Sequence, residues 1–436
     1  MKNINSKLIQ FINDSPSPFH VVENIRNILK DKNYKELKET SKWNLTAGKY
    51  FVTRNNTSVI AFVIPKKIQD YHFQIVSSHT DSPTFKIKCE SELNGPKEYI
   101  RLNVEKYGGA IHYTWLDKPL SIAGRVFVKK DNKVLSKNIY FDKDLIIIPS
   151  LPIHFNRNVN DGVKLDPQID LCPMFSNGEL HKGDFVKMLA KKLNVKTKEI
   201  MSYDLYLVNR QVGTVLGYKD EFIAAPKLDD LEACYSSLLS FTDSKDNGSI
   251  NAFCSFDNEE VGSLTMQGAM STFLKDTLRR INSSLGNTEE EYYMALAKSF
   301  MVSFDNAHAL HPNHPEKFDE ENKCYMNKGV VIKENASQSY TTDSFSRAIF
   351  KDICQKAKVP TQNFANKSNE KGGSTLGNIS NSQVSLHTVD IGLAQLAMHS
   401  SYETAGSLDL EYAYEALKTF YSKHILIDNS SSYKIK

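Results

Sequence analysis

The sequence predicts an α/β fold in which a central mixed sheet is flanked by helices and interrupted by a β-rich insertion. Two observations carry that reading. Apolar strand runs alternate with helical patterns near the start of the chain and again after Phe222, and such alternation builds a sheet covered on both faces. Between about Cys89 and Phe222 the texture changes to short alternating strands separated by Gly, Asn and Asp turns, which marks a separate lobe. The expected division is residues 1–88 plus 223–436 for one domain and 89–222 for the inserted one.

Taken in order, helical periodicity opens the chain over residues 5–13 and 19–31. The second helix is started by the Ser15-Pro-Ser-Pro turn, because proline suits a first helical turn. Apolar strand runs follow at 58–64 and 73–77. Inside the insertion, strands are expected at 99–105, 120–129, 145–148 and 203–208, with a helix near 183–193. The returning rhythm gives helix 231–241, strand 250–256, helices between 271 and 299, and strands 301–304 and 330–333. Helices at 343–356 and 408–421 complete it. No internal repeat is visible.

Composition narrows the function classes. A chain of 436 residues suggests two or three domains, and 54 Lys+Arg against 51 Asp+Glu is too even for a nucleic-acid footprint. A hydrophobic content of 40% with 24% charged residues excludes disordered and collagen-like classes. Polar residues interrupt every apolar run of MKNINSKLIQFINDSPSPFH, so no signal peptide is expected, and no stretch has the roughly 18 apolar residues of a membrane helix. Six cysteines (Cys89, Cys172, Cys234, Cys254, Cys324, Cys354) lie scattered without a C-x-x-C pair. They read as reduced, mostly buried thiols of a cytoplasmic protein and disfavour a thiolate zinc site.

The chemistry concentrates just after strands, where open α/β sheets place their ligands. His79-Thr80-Asp81 follows the 73–77 run, and Asp81 is placed to accept the second ring N–H of a metal-binding His79. Lys227-Leu228-Asp229-Asp230-Leu231 enters a helix; one aspartate can be a plain N-cap, or Asp229 can bridge two cations while Asp230 caps or positions it. Asp257-Asn258-Glu259-Glu260 follows strand 250–256. Adjacent carboxylates there repel one another and call for something cationic, with one glutamate as ligand and its neighbour as general base. The alternative is an exposed acidic turn.

Asp305-Asn306-Ala307-His308 and Met398-His399-Ser400 complete the pattern. His308, His311 and His314 lack the cysteine partners of a zinc finger. Together His79, Asp229, Glu260, Asp305 and His399 supply two imidazoles and three carboxylates, a donor set suited to a pair of zinc ions or similar divalent metals. Spacing alone does not single these five out among the acidic residues.

The motifs resemble the aspartyl aminopeptidase family nearly end to end. The matching segments are Ser15-Pro-Ser-Pro-Phe-His20, His79-Thr80-Asp81-Ser82-Pro83, Val104-Glu105-Lys106-Tyr107-Gly108-Gly109 leading to Thr114-Trp115-Leu116-Asp117, and Leu228-Asp229-Asp230. They continue through Asp257 to Ser263, Ser303 to Asn313, Gly373-Ser374-Thr375, Val389-Asp390-Ile391-Gly392 and Ala397-Met398-His399-Ser400. The resemblance implies that His79 and Asp305 hold one metal, Glu260 and His399 the other, and that Asp229 bridges them. It makes Glu259 the general base and Asp81 the carboxylate that orients His79.

It further implies a zinc-peptidase-like catalytic domain with an inserted dimerisation domain, and a homo-oligomer, typically a dodecamer built from dimers. Two divalent ions per subunit follow, Zn2+ first, with Mn2+ or Co2+ as alternatives. The expected activity is a metallo-aminopeptidase acting on peptides with a free, acidic N-terminal residue. His308, Lys333 and Tyr340 match substrate-contacting positions, Lys333 facing the substrate's side-chain carboxylate, and His154 matches a histidine that a neighbouring subunit inserts into the active site. Two departures stand out: Tyr402 occupies a place commonly held by arginine, and Asn378 follows Gly377 where a proline is common. Neither replaces an implied ligand. Two other readings stay open: a dinuclear carboxypeptidase, dipeptidase or deacylase on a related domain, and a catalytically silent assembly shell, which would be expected to have lost a ligand or the base.

Overall fold

A computed structural model describes residues 2–370 and 372–436. Its largest sheet has nine strands in the order Lys35–Leu37, Gly48–Arg54, Ser58–Ile64, Ile250–Phe256, Phe73–His79, Phe300–Phe304, His387–Gly392, Val330–Glu334, Thr361–Ala365. Strand Phe73–His79 lies at the centre, parallel to Ile250–Phe256 on one side and to Phe300–Phe304 on the other. His387–Gly392 continues the parallel set, whereas Ser58–Ile64 and Val330–Glu334 run antiparallel to their inner neighbours. The sheet is therefore mixed, as expected.

Side chains alternate across a strand, so Val76 and Ile75 enter opposite cores. The Val76 face is covered by helices Lys2–Asn13, Pro18–Asp31, Leu228–Asp243, Ser344–Ala357 and Asp409–Ser422, through residues such as Leu238, Ile349 and Leu417. The Ile75 face packs on Phe273–Ser284 and Glu289–Ala297 through Phe273, Leu278 and Tyr292. Burial on both faces explains why every residue of Phe73–His79 and Ile250–Phe256 is buried. Because the central strands are parallel, with Phe256 level with His79, the segments that follow them emerge along one edge.

A second sheet of six strands, ordered Lys133–Tyr140, Leu120–Lys130, Ile200–Asn209, Thr84–Asn94, Tyr99–Tyr107, Met174–Asn177, has its own core around Phe85, Leu102, Ile122, Val126 and Leu205. Helix Asp184–Leu193 closes that core through Phe185 and Leu189. A third, five-stranded sheet joins Thr214–Leu216, Phe222–Ala225, Glu403–Gly406, Ala394–Leu396 and Ala307–His308.

Several expected elements shift. Residues 145–148 form only isolated bridges, Leu120 with Ile146 and Ile147 with Met174; Pro149, which lacks an N–H, ends any ladder there. Strand Phe73–His79 extends two residues past the expected 77, because Ser78 and His79 stay paired although they break the apolar run. Strands Gly48–Arg54 and His387–Gly392 were not expected. In the latter, buried Asp390 sits mid-strand and is satisfied by the Thr341 N–H at 2.6 Å and by the Thr341 and Thr375 hydroxyls at 2.5 and 2.6 Å. All six cysteines are free; Cys89 is exposed and the rest are buried. Among the described residues no helix is long and apolar enough to cross a membrane.

Candidate metal centre

His79 ends the central strand with its ring fully enclosed. Its Nδ1 lies 3.1 Å from the Asp81 carbonyl and 3.4 Å from Asp81 Oδ1, and its Nε2 lies 3.4 Å from Asp229 Oδ1 and 3.9 Å from Asp305 Oδ1. One ring face is thus held by Asp81 while the other looks at carboxylates. Asp81 also accepts the Tyr107 hydroxyl at 2.7 Å and the backbone N–H groups of Glu259 and Glu260, each at 3.2 Å. It therefore ties the His79 strand end to the acidic turn. That turn follows Ile250–Phe256 through Asn258 at φ 62°, and Gly108 makes room for it, since a Cβ there would lie 3.1 Å from Glu260 Cβ.

Asp229 stands between the two histidines. Its Oδ1 faces His79, and its Oδ2 lies 3.5 Å from His399 Nε2, which is itself 3.4 Å from Glu260 Oε2. Helix Leu228–Asp243 is non-helical at Asp229 and Asp230, and their peptide bond is cis. Asp230 Oδ2 accepts the His79 backbone N–H at 3.0 Å, so Asp230 positions rather than caps. Three groups of potential ligand atoms, each within 4.8 Å of one another, result: His79, Asp229, Asp230, Asp305; His79, Glu259, Glu260; and Asp229, Glu260, His399.

The site's own electrostatics ask for a cation. Asp229 Oδ1, Asp230 Oδ1 and Glu260 Oε1 are buried without any hydrogen-bond donor, a costly state for carboxylate oxygens. Burial first, then the charges of neighbouring carboxylates, Asp229 in all three cases, pushes Glu260 and Asp230 well above the usual carboxylate range and Glu259 up to about 8. Burial opposes protonation of the histidines, yet the surrounding carboxylates outweigh it, raising His79 well above its ordinary value and His399 to about 8. Mixed oxygen and imidazole donors with orphaned oxygens fit divalent zinc, manganese or cobalt.

Around this centre, Lys333 is almost fully buried. Its Nζ donates to the Asp305 carbonyl at 2.7 Å and the Asn306 carbonyl at 3.3 Å, and lies 5.1 Å from the ring centre of Tyr340. His308, in strand Ala307–His308 directly after Asp305 and Asn306, is exposed, with its ring centre 6.2 Å from that of Phe364. His154 lies in an exposed loop of the same chain, flanked by exposed Leu151, Ile153 and Phe155.

Sequence reasoning missed Glu403 and the Asn306–Gln395 pair. The available signal was an acidic residue opening the otherwise small, uncharged strand Glu403–Gly406. A further grouping, Asp70, His72 and His424, lies at the opposite end of the central strand. There Lys298 holds Asp70 at 2.9 Å, the His72 ring nitrogens face the Asp70 carbonyl and Gln74, and His424 Nδ1 lies 2.9 Å from the Asn247 carbonyl. Those ring nitrogens are already engaged.

Carboxylates and imidazoles gathered at the carboxyl edge of a helix-covered mixed sheet define a metal-dependent hydrolase centre. The profile of the family described as aminopeptidase I zinc metalloprotease (M18) matches residues 11–421. A probable M18 family aminopeptidase 2 of Clostridium novyi is 44% identical over 96% of this chain and 98% of its own length. Aspartyl aminopeptidase 1 of Schizosaccharomyces pombe is 35% identical over 95% and 93%. The fold matches the chain in the cryo-EM structure of the Ape4 and Nbr1 complex at TM-score 0.93 and 34% identity, covering 96% of this chain and 85% of that one. It matches the S. cerevisiae mApe1 dodecamer at 0.84 and 26%, covering 96% of each. The chain belongs to the M18 family of zinc metallo-aminopeptidases and is a hydrolase.

Proposed function

We propose that this aminopeptidase removes the first residue of peptides with a free N-terminus and prefers Asp or Glu there. His79 and Asp305 would hold one divalent cation, Glu260 and His399 a second, and Asp229 would span both, with Zn2+ the occupant and Mn2+ or Co2+ the alternatives. The observation that carries this is the placement of Asp229, whose two oxygens lie 3.4 and 3.5 Å from the imidazoles of His79 and His399. When bound, such a pair polarises a carbonyl and acidifies water.

Glu259 then takes a proton from the attacking water and returns it to the leaving amine. Asp81 keeps His79 in one tautomer by occupying its Nδ1 side. Lys333 has three N–H bonds and gives two to protein carbonyls; Asp305 Oδ2, at 3.9 Å, is too far to take the third, which is kept for a substrate carboxylate. Tyr340 and His308 flank that position. The resemblance to the aspartyl aminopeptidase of S. pombe supports the acidic preference.

Residues 89–222 are read as the dimerisation domain and 1–88 plus 223–436 as the catalytic one, in a cytoplasmic dodecamer in which His154 reaches a neighbouring subunit's site. The apolar side chains exposed beside His154 support that reading.

The test is amino-acid release from peptides that differ only in the first residue, free or N-acetylated, with and without chelator. Release confined to free peptides, fastest for acidic first residues and abolished by chelator, is expected. Hydrolysis of acetylated peptides would indicate a deacylase or carboxypeptidase instead.

A further inference from the structure

We infer that Glu403 is a positioning residue that sets the spacing of the metal ligands. It is 1% exposed and grips two ligands through their backbones. Its Oε2 accepts the Asp229 N–H at 3.0 Å, and its Oε1 accepts the His399 N–H at 2.7 Å. Asp229 and His399 are 170 residues apart in the chain, yet their side chains meet, with Asp229 Oδ2 3.5 Å from His399 Nε2.

The clamp reaches a third ligand. Gln395 Nε2 lies 3.5 Å from Glu403 Oε1, Gln395 Oε1 accepts from Asn306 Nδ2 at 3.1 Å, and Asn306 follows Asp305 directly. Glu403 itself is fixed by the ladder, since its strand pairs with Phe222–Ala225 and places it opposite Ala225. The Asp229 entry loop and the His399 loop leave the third sheet on either side of this carboxylate. His399 adopts φ 67°, and the bond from its N–H to Glu403 ties down that turn with the ring toward Glu260. One rigid carboxylate with two acceptor oxygens serves both N–H groups; an amide in its place turns a donor toward one of them.

This rests on the ligand assignment proposed above, and the experiment separates the two. Zinc affinity of the metal-stripped protein is measured by chelator competition for wild type, Glu403→Gln and Asp409→Asn, with thermal melting of each metal-free form. Asp409 is the control because it too is buried and accepts two backbone N–H groups, those of Asn327 and Gly329, neither of them a proposed ligand. Glu403→Gln is expected to weaken zinc binding by about 10- to 100-fold, the usual effect of removing a partner that orients a ligand. Asp409→Asn is expected to lower the melting temperature without changing zinc affinity.

Wild-type affinity in a folded Glu403→Gln would overturn the inference. A wild-type protein that takes up no zinc would overturn the ligand assignment itself. Should Glu403→Gln not fold, amide exchange in metal-free wild type decides. Slow exchange at both Asp229 and His399 is expected, and fast exchange at either contradicts a clamp that exists before metal arrives.

Discussion

Glu259 and Glu260 are neighbours with different surroundings, and the proposed function gives them different tasks. Glu260 Oε2 lies 3.4 Å from His399 Nε2, while Glu259, grouped with His79 and Glu260, owes its raised affinity for protons first to burial. Glu259→Gln is expected to keep zinc content unchanged and lower kcat by about two to four decades, checked by metal analysis and steady-state assay. Lys333→Met is expected to lower kcat/KM about 10- to 100-fold for peptides beginning with Asp or Glu and far less for those beginning with Ala, the scale of a lost charge-assisted hydrogen bond. An equal loss on all peptides would mean that Lys333 serves only the Asp305 turn. At this scale the candidate ligands stand after apolar runs, but spacing alone did not separate them from the other acidic residues, and the family resemblance made the choice. Glu403 was not legible, because its partners are backbone N–H groups contributed by distant segments, which no local pattern records.

Helix Leu228–Asp243 carries Asp229 at its start and a buried carboxyl, Glu232, one turn later. Burial first, then the charge of Asp409, raises Glu232 from 4.5 to about 8, although the Asn306 amide donates to it at 3.3 Å. Folding therefore favours the neutral form. The resulting stability is complete below about 4.5 and is lost as pH rises toward about 8. Glu232→Gln removes that dependence, so its urea midpoint, measured against wild type, is expected to rise between pH 5 and pH 8; a difference flat with pH would contradict the sign.

Strand Ile250–Phe256 was legible to the residue because burial on both faces demands a continuous apolar run. Strand His387–Gly392 escaped because Asp390 interrupts its pattern, a charge tolerated only through the donors that Thr341 and Thr375 bring from elsewhere. The kink at Asp229 was likewise invisible, since the helix pattern reads straight through it.

For the whole molecule, the texture change near Cys89 located the second sheet to within a few residues of Thr84, where its strands begin. The proposed assembly role of 89–222 rests on exposed apolar groups: Leu151 and Phe155, close in sequence to His154, are 59% and 78% exposed, and Ile169 is 70% exposed. If His154 serves a neighbour, His154→Ala and Glu259→Gln chains, each with low activity alone, are expected to recover activity when dissociated and reassembled together. A Glu259→Gln chain still donates its histidine to a partner that retains the base. No recovery in mixed particles would show that His154 acts within its own chain or not at all.

The most direct measurement is zinc anomalous diffraction from crystals of the zinc-loaded protein. Two peaks about 3.5 to 4 Å apart, enclosed by His79, Asp229, Glu260, Asp305 and His399 with Asp229 between them, are expected. Peaks elsewhere, such as beside Asp70, His72 and His424, with none between His79 and His399, would contradict it.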